Sequence, residues 1–182
     1  MSTTRRSWVI NSLGIAVAAD VAAAWQVAHD AVRSEPPAKF TNLRSADARD
    51  IEAITAQIIP SDESPGAREA GVIYFIDQAL GSWEADKRTA YRRGIRDLRK
   101  LRKKMFPSAP DIASLEEEQL RELIKAFEGT EFFELLRTHT VLGFLGSPTY
   151  GGNRGKVGWA HIGLEDRMAF EPPFGYYDAE TL

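Results

Sequence analysis

The sequence contains no cysteine. That absence excludes thiol nucleophiles, disulfides, iron–sulfur clusters, covalently attached c-type haem and cysteine-bearing zinc sites in one step. Histidine is nearly as scarce: His29, His139 and His161 stand far apart, and no HExxH pair exists to seat a metal. The GxGxxG and GxxxxGKS/T spacings are also missing, so no nucleotide fingerprint is present. Neither sign of charge dominates, because 23 Lys+Arg against 26 Asp+Glu leave −3, and nothing in the overall balance draws the chain toward nucleic acid. Alternating β-branched runs are few, which argues against a sheet. The 182 residues suffice for one domain, and 43% hydrophobic with 27% charged residues is the composition of a folded chain.

The first thirty residues carry two adjacent charges, Arg5 and Arg6. A moderately apolar stretch follows from Trp8 to Ala19, diluted by Asn11, Ser12 and Gly14. A basic start before a short apolar stretch is the pattern of a secretory signal. The stretch falls short of the ~20 strongly apolar residues that a stable membrane span needs, and Asp20 interrupts it. Thr4-Arg5-Arg6-Ser7-Trp8-Val9 is similar to the twin-arginine export signal, with Trp8 and Val9 where Phe-Leu is usual. An ordinary export signal and an uncleaved amphipathic helix are the alternatives. The twin-arginine route carries folded proteins, and a small passenger without a cofactor has reason to use it when travelling with a folded, cofactor-loaded companion. Residues 1–33 are assigned to the signal and its flank, 34–44 to a polar, Pro-containing linker, and 45–182 to a single domain.

Within that domain the apolar residues recur at helical spacing. Ile51, Ile54 and Ile58 predict a helix over 45–59, ended by Pro60. Val72, Phe75, Ile76, Ala79 and Leu80 predict a second over 67–80. Tyr91, Ile95, Leu98, Leu101 and Met105 predict a third over 83–105. A fourth is expected to begin at Ser114, where Ser114 and Glu117 have capping-box spacing, with Leu120, Leu123, Ile124 and Phe127 on its core face. A fifth is expected over 130–144, with Phe132, Phe133, Leu135, Leu136 and Leu142. Each stripe must bury against another, so the fold class is all-α, a bundle of about five helices. From Gly143 onward the character changes. Seven of the fourteen glycines lie between Gly143 and Gly163, and the tail adds Pro172, Pro173, Phe174, Tyr176 and Tyr177. This reads as an irregular arm rich in glycine and aromatic residues, lying on the bundle or on another protein.

Two regions carry candidate recognition residues. The turn-rich loop around Pro60, Asp62, Pro65 and Gly66 is one. The stretch Tyr150-Gly151-Gly152-Asn153, with Trp159 beyond it, is the other. Aromatic rings beside adaptable glycine and asparagine suit a protein interface, and equally suit a cap over the chain's own core. Asp62, Tyr150, Trp159 and His161 together offer a second functional reading, a free-standing periplasmic sugar binder or enzyme. Residues 92–104 hold eight basic side chains against Asp97 alone. Such a run is a solvated face, or a docking face for an acidic protein or anionic headgroups. Acids at Glu116, Glu117 and Glu118 fit a helix N-terminus.

Three stretches taken together resemble the gluconate 2-dehydrogenase subunit 3 family. They are residues 58–67, continuing through Glu69-Ala70-Gly71-Val72 to Phe75-Ile76-Asp77; Pro148-Thr149-Tyr150-Gly151-Gly152-Asn153; and Gly158-Trp159 with Ile162-Gly163. The resemblance runs over residues 45–165. It implies a small, non-catalytic subunit of a membrane-associated, flavin-dependent sugar, sugar-acid or glycoside dehydrogenase. The implied partners are a large flavoprotein of the glucose-methanol-choline (GMC) type carrying FAD, in some complexes a c-type cytochrome carrying haem c, and the twin-arginine translocase. No cofactor is expected in this chain and nucleic acid is not an expected partner. The expected location is the periplasm or the periplasmic face of the inner membrane, with any membrane association peripheral or through the partner. Pro60, Asp62, Pro65, Gly66, Tyr150, Gly151, Gly152, Asn153 and Trp159 are the expected partner-facing set, and Arg5 and Arg6 the export signal.

Overall fold

The computed structural model describes residues 39–166. The expected signal with Arg5 and Arg6, and the aromatic tail after Arg167, lie outside the described residues. Six helices form the described body, with no strand among them: α1 Ser45–Ile58, α2 Val72–Gly81, α3 Arg88–Met105, α4 Glu117–Phe127, α5 Glu131–Leu145 and the short α6 Val157–His161. The all-α class therefore holds, with one helical turn more than the periodicity indicated. No described helix is long and apolar enough to cross a membrane.

α2 is the axis of the bundle. Val72, Ile73, Ile76, Ala79 and Leu80 are almost completely buried, and the helix packs against both α1 and α5. Two starts differ from the sequence expectation. α2 begins at Val72 instead of residue 67, because Gly71 takes φ +66°, a left-handed conformation that cannot continue a helix from the turn before it. α3 begins at Arg88, after the 3-10 turn Ala85–Lys87.

The cap of α4 is also displaced from the expected Ser114–Glu117 pair. Glu116 and Gln119 form the reciprocal box instead. Ser114 is already committed to Asp111, accepting at Oγ from the Asp111 N–H and donating its own N–H to Asp111 Oδ1 at 2.9 Å. α5 opens as the spacing indicated, with Thr130 Oγ1 accepting from the Phe133 N–H.

The expected stripes of α1 to α4 face the core, with Ile58, Leu101, Met105 and Ile124 only partly covered. On α5, Leu136 is fully buried, whereas Leu142 is 49% exposed and Val141 39% exposed. The expectation that Leu142 lies in the core is therefore corrected: Gly143 and Phe144 take the inward positions at that level. Gly143 allows the α5 backbone to sit against Phe75, whose Cβ is 3.1 Å from where a Gly143 side chain would begin.

Two buried carboxylates lock the body. Asp50 on α1 is 1% exposed and receives Arg99 of α3 at 2.7 Å, together with the backbone N–H groups of Ile112 and Ala113. One side chain thus ties α1, α3 and the loop before α4. Asp77 on α2 accepts the N–H groups of Thr41, Asn42 and Leu43 and the Thr41 hydroxyl. Residues 39–44 contain no helix, and this carboxylate is what holds them.

Candidate functional site

The arm after α5 is built around one amide side chain. Asn153 is completely buried, with φ +45°, a left-handed conformation that asparagine tolerates better than most residues. Its backbone N–H donates to the Gly143 carbonyl at 2.8 Å, and its Nδ2 donates to the Gly146 carbonyl at 2.9 Å. Its Oδ1 accepts the Gly158 N–H at 2.8 Å. Asn153 therefore satisfies carbonyls at the end of α5 and the first turn of α6 at once. The approach is too close for a side chain at the flanking glycines. A Cβ on Gly152 would stand 2.2 Å from the Gly143 carbonyl oxygen, and one on Gly158 would stand 1.9 Å from that of Phe144.

This pinning fixes what the arm presents. The Trp159 indole N–H donates to the Leu145 carbonyl at 2.7 Å, so half-buried Trp159 closes the arm onto α5. Tyr150 instead points outward, 50% exposed, and meets Trp83 edge to face with ring centroids 5.2 Å apart. Trp83 is 48% exposed and leans on Phe75 at 6.0 Å. Two large rings thus stand in solvent on a rigid mount. Beside them Arg154 lies 3.7 Å over the Tyr74 ring, which stacks on Phe40. A cleft lined by Lys39, Thr41, Tyr74, Gln78, Gly151 and Arg154 joins the start of the described chain to the arm.

The 60–67 loop reaches the same side. The Arg154 N–H donates to the Ala70 carbonyl at 3.0 Å. Asp62 is exposed, and its carboxyl is held below the usual range by the Ser64 N–H and hydroxyl, with a smaller attraction from His161. Pro60 is exposed and Pro65 half-buried, while Gly66 is buried and donates its N–H to Glu69. Burial alone would raise Glu69, but the Ser61 hydroxyl and nearby backbone N–H groups outweigh it and the net direction is down.

The nine expected partner-facing residues accordingly divide. Tyr150, Pro60 and Asp62 are exposed. Gly66, Gly152 and Asn153 are buried and shape the backbone. Pro65, Gly151 and Trp159 are intermediate. The structure brings the two stretches together across the turn at Ala70.

A family profile described as Gluconate 2-dehydrogenase subunit 3 matches residues 45–165, from the first residue of α1 to the end of the arm. The chain belongs to the gluconate 2-dehydrogenase subunit 3 family. No curated protein and no solved structure matches it. In this subunit-3 chain, no group of three or more His, Asp or Glu side chains able to hold a metal occurs among the described residues.

Three features of the subunit-3 chain escaped the sequence reading. Trp83, expected at the start of the helix over 83–105, sits instead in the connection before α3, so its pairing with Tyr150 is a product of the fold. His139 finds a buried partner in Tyr91, with Nδ1 and the hydroxyl 2.8 Å apart and the rings stacked at 5.6 Å. Burial pushes His139 below its ordinary value and the Tyr91 hydroxyl upward, so both are neutral at pH 7. Asp50 and Asp77 follow no local motif, although an acid inside a helical apolar stripe is a signal that a buried partner is needed.

Proposed function

We infer that this subunit is a non-catalytic accessory chain of a periplasmic, FAD-dependent dehydrogenase acting on a sugar, sugar acid or glycoside. It escorts the folded flavoprotein through the twin-arginine translocase and stays bound to it. The observation that carries this reading is the family membership over residues 45–165, combined with an exposed aromatic pair, Trp83 and Tyr150, held at the arm. Trp83 and Tyr150 are mounted on a scaffold held by buried hydrogen bonds, so little side-chain or loop entropy remains to be lost on docking. Aromatic anchors of this kind carry a large share of interface energy.

In this reading FAD belongs to a large GMC-type flavoprotein, and haem c to a cytochrome subunit where one is present. The chain itself has no cysteine for haem attachment and no dinucleotide fingerprint. The beginning of the described chain is fastened to α2 by Asp77, next to the cleft that borders Arg154. Trp159 and Asp62 have their polar groups committed to Leu145 and Ser64, which weighs against the sugar-binding alternative.

Co-expression with a GMC-type flavoprotein from the same source tests the reading. A stable complex is expected, and deletion of this subunit should strand or destabilise the flavoprotein before export. Export of a fully active flavoprotein in its absence would refute the escort role. Turnover of a sugar by the purified subunit alone would favour the enzyme reading.

A further inference from the structure

We propose that the solvent face of α3 is a docking surface for the anionic phosphodiester headgroups of a membrane leaflet. The eight basic residues of 92–104 separate into two groups in the structure. Arg99 is spent on Asp47 and Asp50, and Arg102 on the carbonyls of Ala109 and Pro110. The other six, Arg92, Arg93, Arg96, Lys100, Lys103 and Lys104, are all exposed. At 100° per residue they fall within one third of the helix circumference, opposite Tyr91, Ile95 and Leu98. They extend over about 18 Å of helix axis. Asp97, at the edge of the stripe, is the one acid on this helix and pairs with Arg96 and Lys100.

At its N-terminal end the stripe opens into a cleft of about 730 Å³. Arg44, Arg88, Arg92, Arg93 and Arg96 line it, with Asp47 as its acid. Arg44 is bound to Asp47, and Arg88 to the Leu80 carbonyl and Asn42. Among the described residues, no acid pairs with Arg92 or Arg93. A cleft of this size with surplus arginine fits a phosphate headgroup, which arginine grips bidentately.

The character of the stripe selects the lipid over other polyanions. No aromatic or large apolar side chain of α3 stands among the six cations, and the apolar cleft at Leu101, Phe132 and Leu135 lies to one side of them, bordered by Arg93 alone of the six, so the stripe itself lacks the apolar core of a protein interface. It also offers no ring on which a base would stack. A flat row of long, flexible cations suits a diffuse sheet of negative charge, and each residue that reaches the surface adds to the attraction. The docking is peripheral, in keeping with described helices that do not span a membrane. The proposal does not depend on the escort reading, since the stripe lies on α3 and the aromatic pair does not.

The test is co-sedimentation of the full chain with vesicles of phosphatidylcholine, alone or with roughly 30% phosphatidylglycerol, at about 0.05 M and about 0.5 M salt. Binding is expected with the anionic vesicles at low salt, and loss at high salt. The quadruple variant Arg92→Gln, Arg93→Gln, Lys103→Gln, Lys104→Gln should retain its helical spectrum and bind at least about tenfold more weakly. Arg5→Gln with Arg6→Gln reports on the leader separately. Equal binding to neutral vesicles overturns the proposal. So does a loss that follows the Arg5 and Arg6 changes while the α3 variant binds like the parent. Tighter binding of the same α3 cations to polyglutamate or duplex DNA than to the vesicles would replace the lipid with an acidic protein or a nucleic acid.

Discussion

The two ends of the bundle are fastened by opposite means. Around α1 and α3 the fastening is ionic: Asp47 and Asp50 are buried and share Arg99, and Asp50 also holds the loop before α4. At the end of α5 the fastening is neutral: one asparagine and two glycines bring backbone against backbone. The ionic end tolerates changes in volume poorly only where the charges meet, yet is sensitive to proton concentration. The amide-and-glycine end carries no charge in its joint, so it ignores pH but has no room for a methyl group. An interaction face mounted on the second kind of joint keeps its shape as pH changes.

The largest effect should come from the ionic end. Asp50→Ala leaves Arg99 half paired and the N–H groups of Ile112 and Ala113 without their acceptor, and should cost about 3–5 kcal/mol of stability, read from urea unfolding. At the other end, Asn153→Ala should cost about 3 kcal/mol, from lost buried hydrogen bonds and a left-handed backbone that alanine resists. Its signature should be local: protease cleavage after residue 145 should rise before global unfolding. If Asn153→Ala lowers the whole unfolding transition with no local opening, the two ends are one cooperative unit and the contrast collapses.

Proton titration sharpens the same contrast. Burial alone would raise Asp47, but Arg44 and Arg99 outweigh it, and its folded pKa lies below the unfolded one. Asp77 is likewise lowered, as the amides of Thr41, Asn42 and Leu43 outweigh burial. For groups lowered in the folded state, the unfolded chain binds more protons as pH falls through the carboxylate range. Stability from Asp47 and Asp77 is therefore present above about pH 4 and lost below it. His139 adds a separate, higher window. Its folded value is depressed by burial, so the unfolded chain takes up the proton first and stability drops as pH falls below about 6.5. His139→Phe should flatten that upper limb of a melting-temperature profile while leaving the acid limb intact.

The smallest effect on stability, within about 0.5 kcal/mol, is expected for Trp83→Ala with Tyr150→Ala, since both rings are half in solvent. The same pair should weaken recovery of the flavoprotein in a co-purification. An unchanged yield of complex would move the docking face elsewhere.

The helices were legible in the sequence because their stripes are long and regular; Ile51 and Ile54, or Leu120, Leu123 and Phe127, lie where periodicity puts them. The boundaries were less so. Gly71 decides where α2 starts through its backbone angle, and an apolar pattern carries no record of that angle. Leu142 illustrates the same limit in side-chain terms: its periodicity is helical, but close contact with Phe75 selects the position beside it, Gly143, for burial. Of the site, the arm was visible as a glycine-rich stretch, and Tyr150 as an exposed anchor. Asn153, one of the residues expected to face a partner or to shape that face, is buried in the arm's own joint. Long-range pairs such as Trp83 with Tyr150 or Tyr91 with His139 join residues 67 and 48 positions apart, and no local pattern encodes them.

The grip of Asp77 on residues 41–43 has a mechanical consequence. A pull on the amino end of the chain is delivered first to the middle of the most deeply packed helix, across several bonds loaded side by side. α1 is spared from being peeled turn by turn. A body pulled from that point moves as a block.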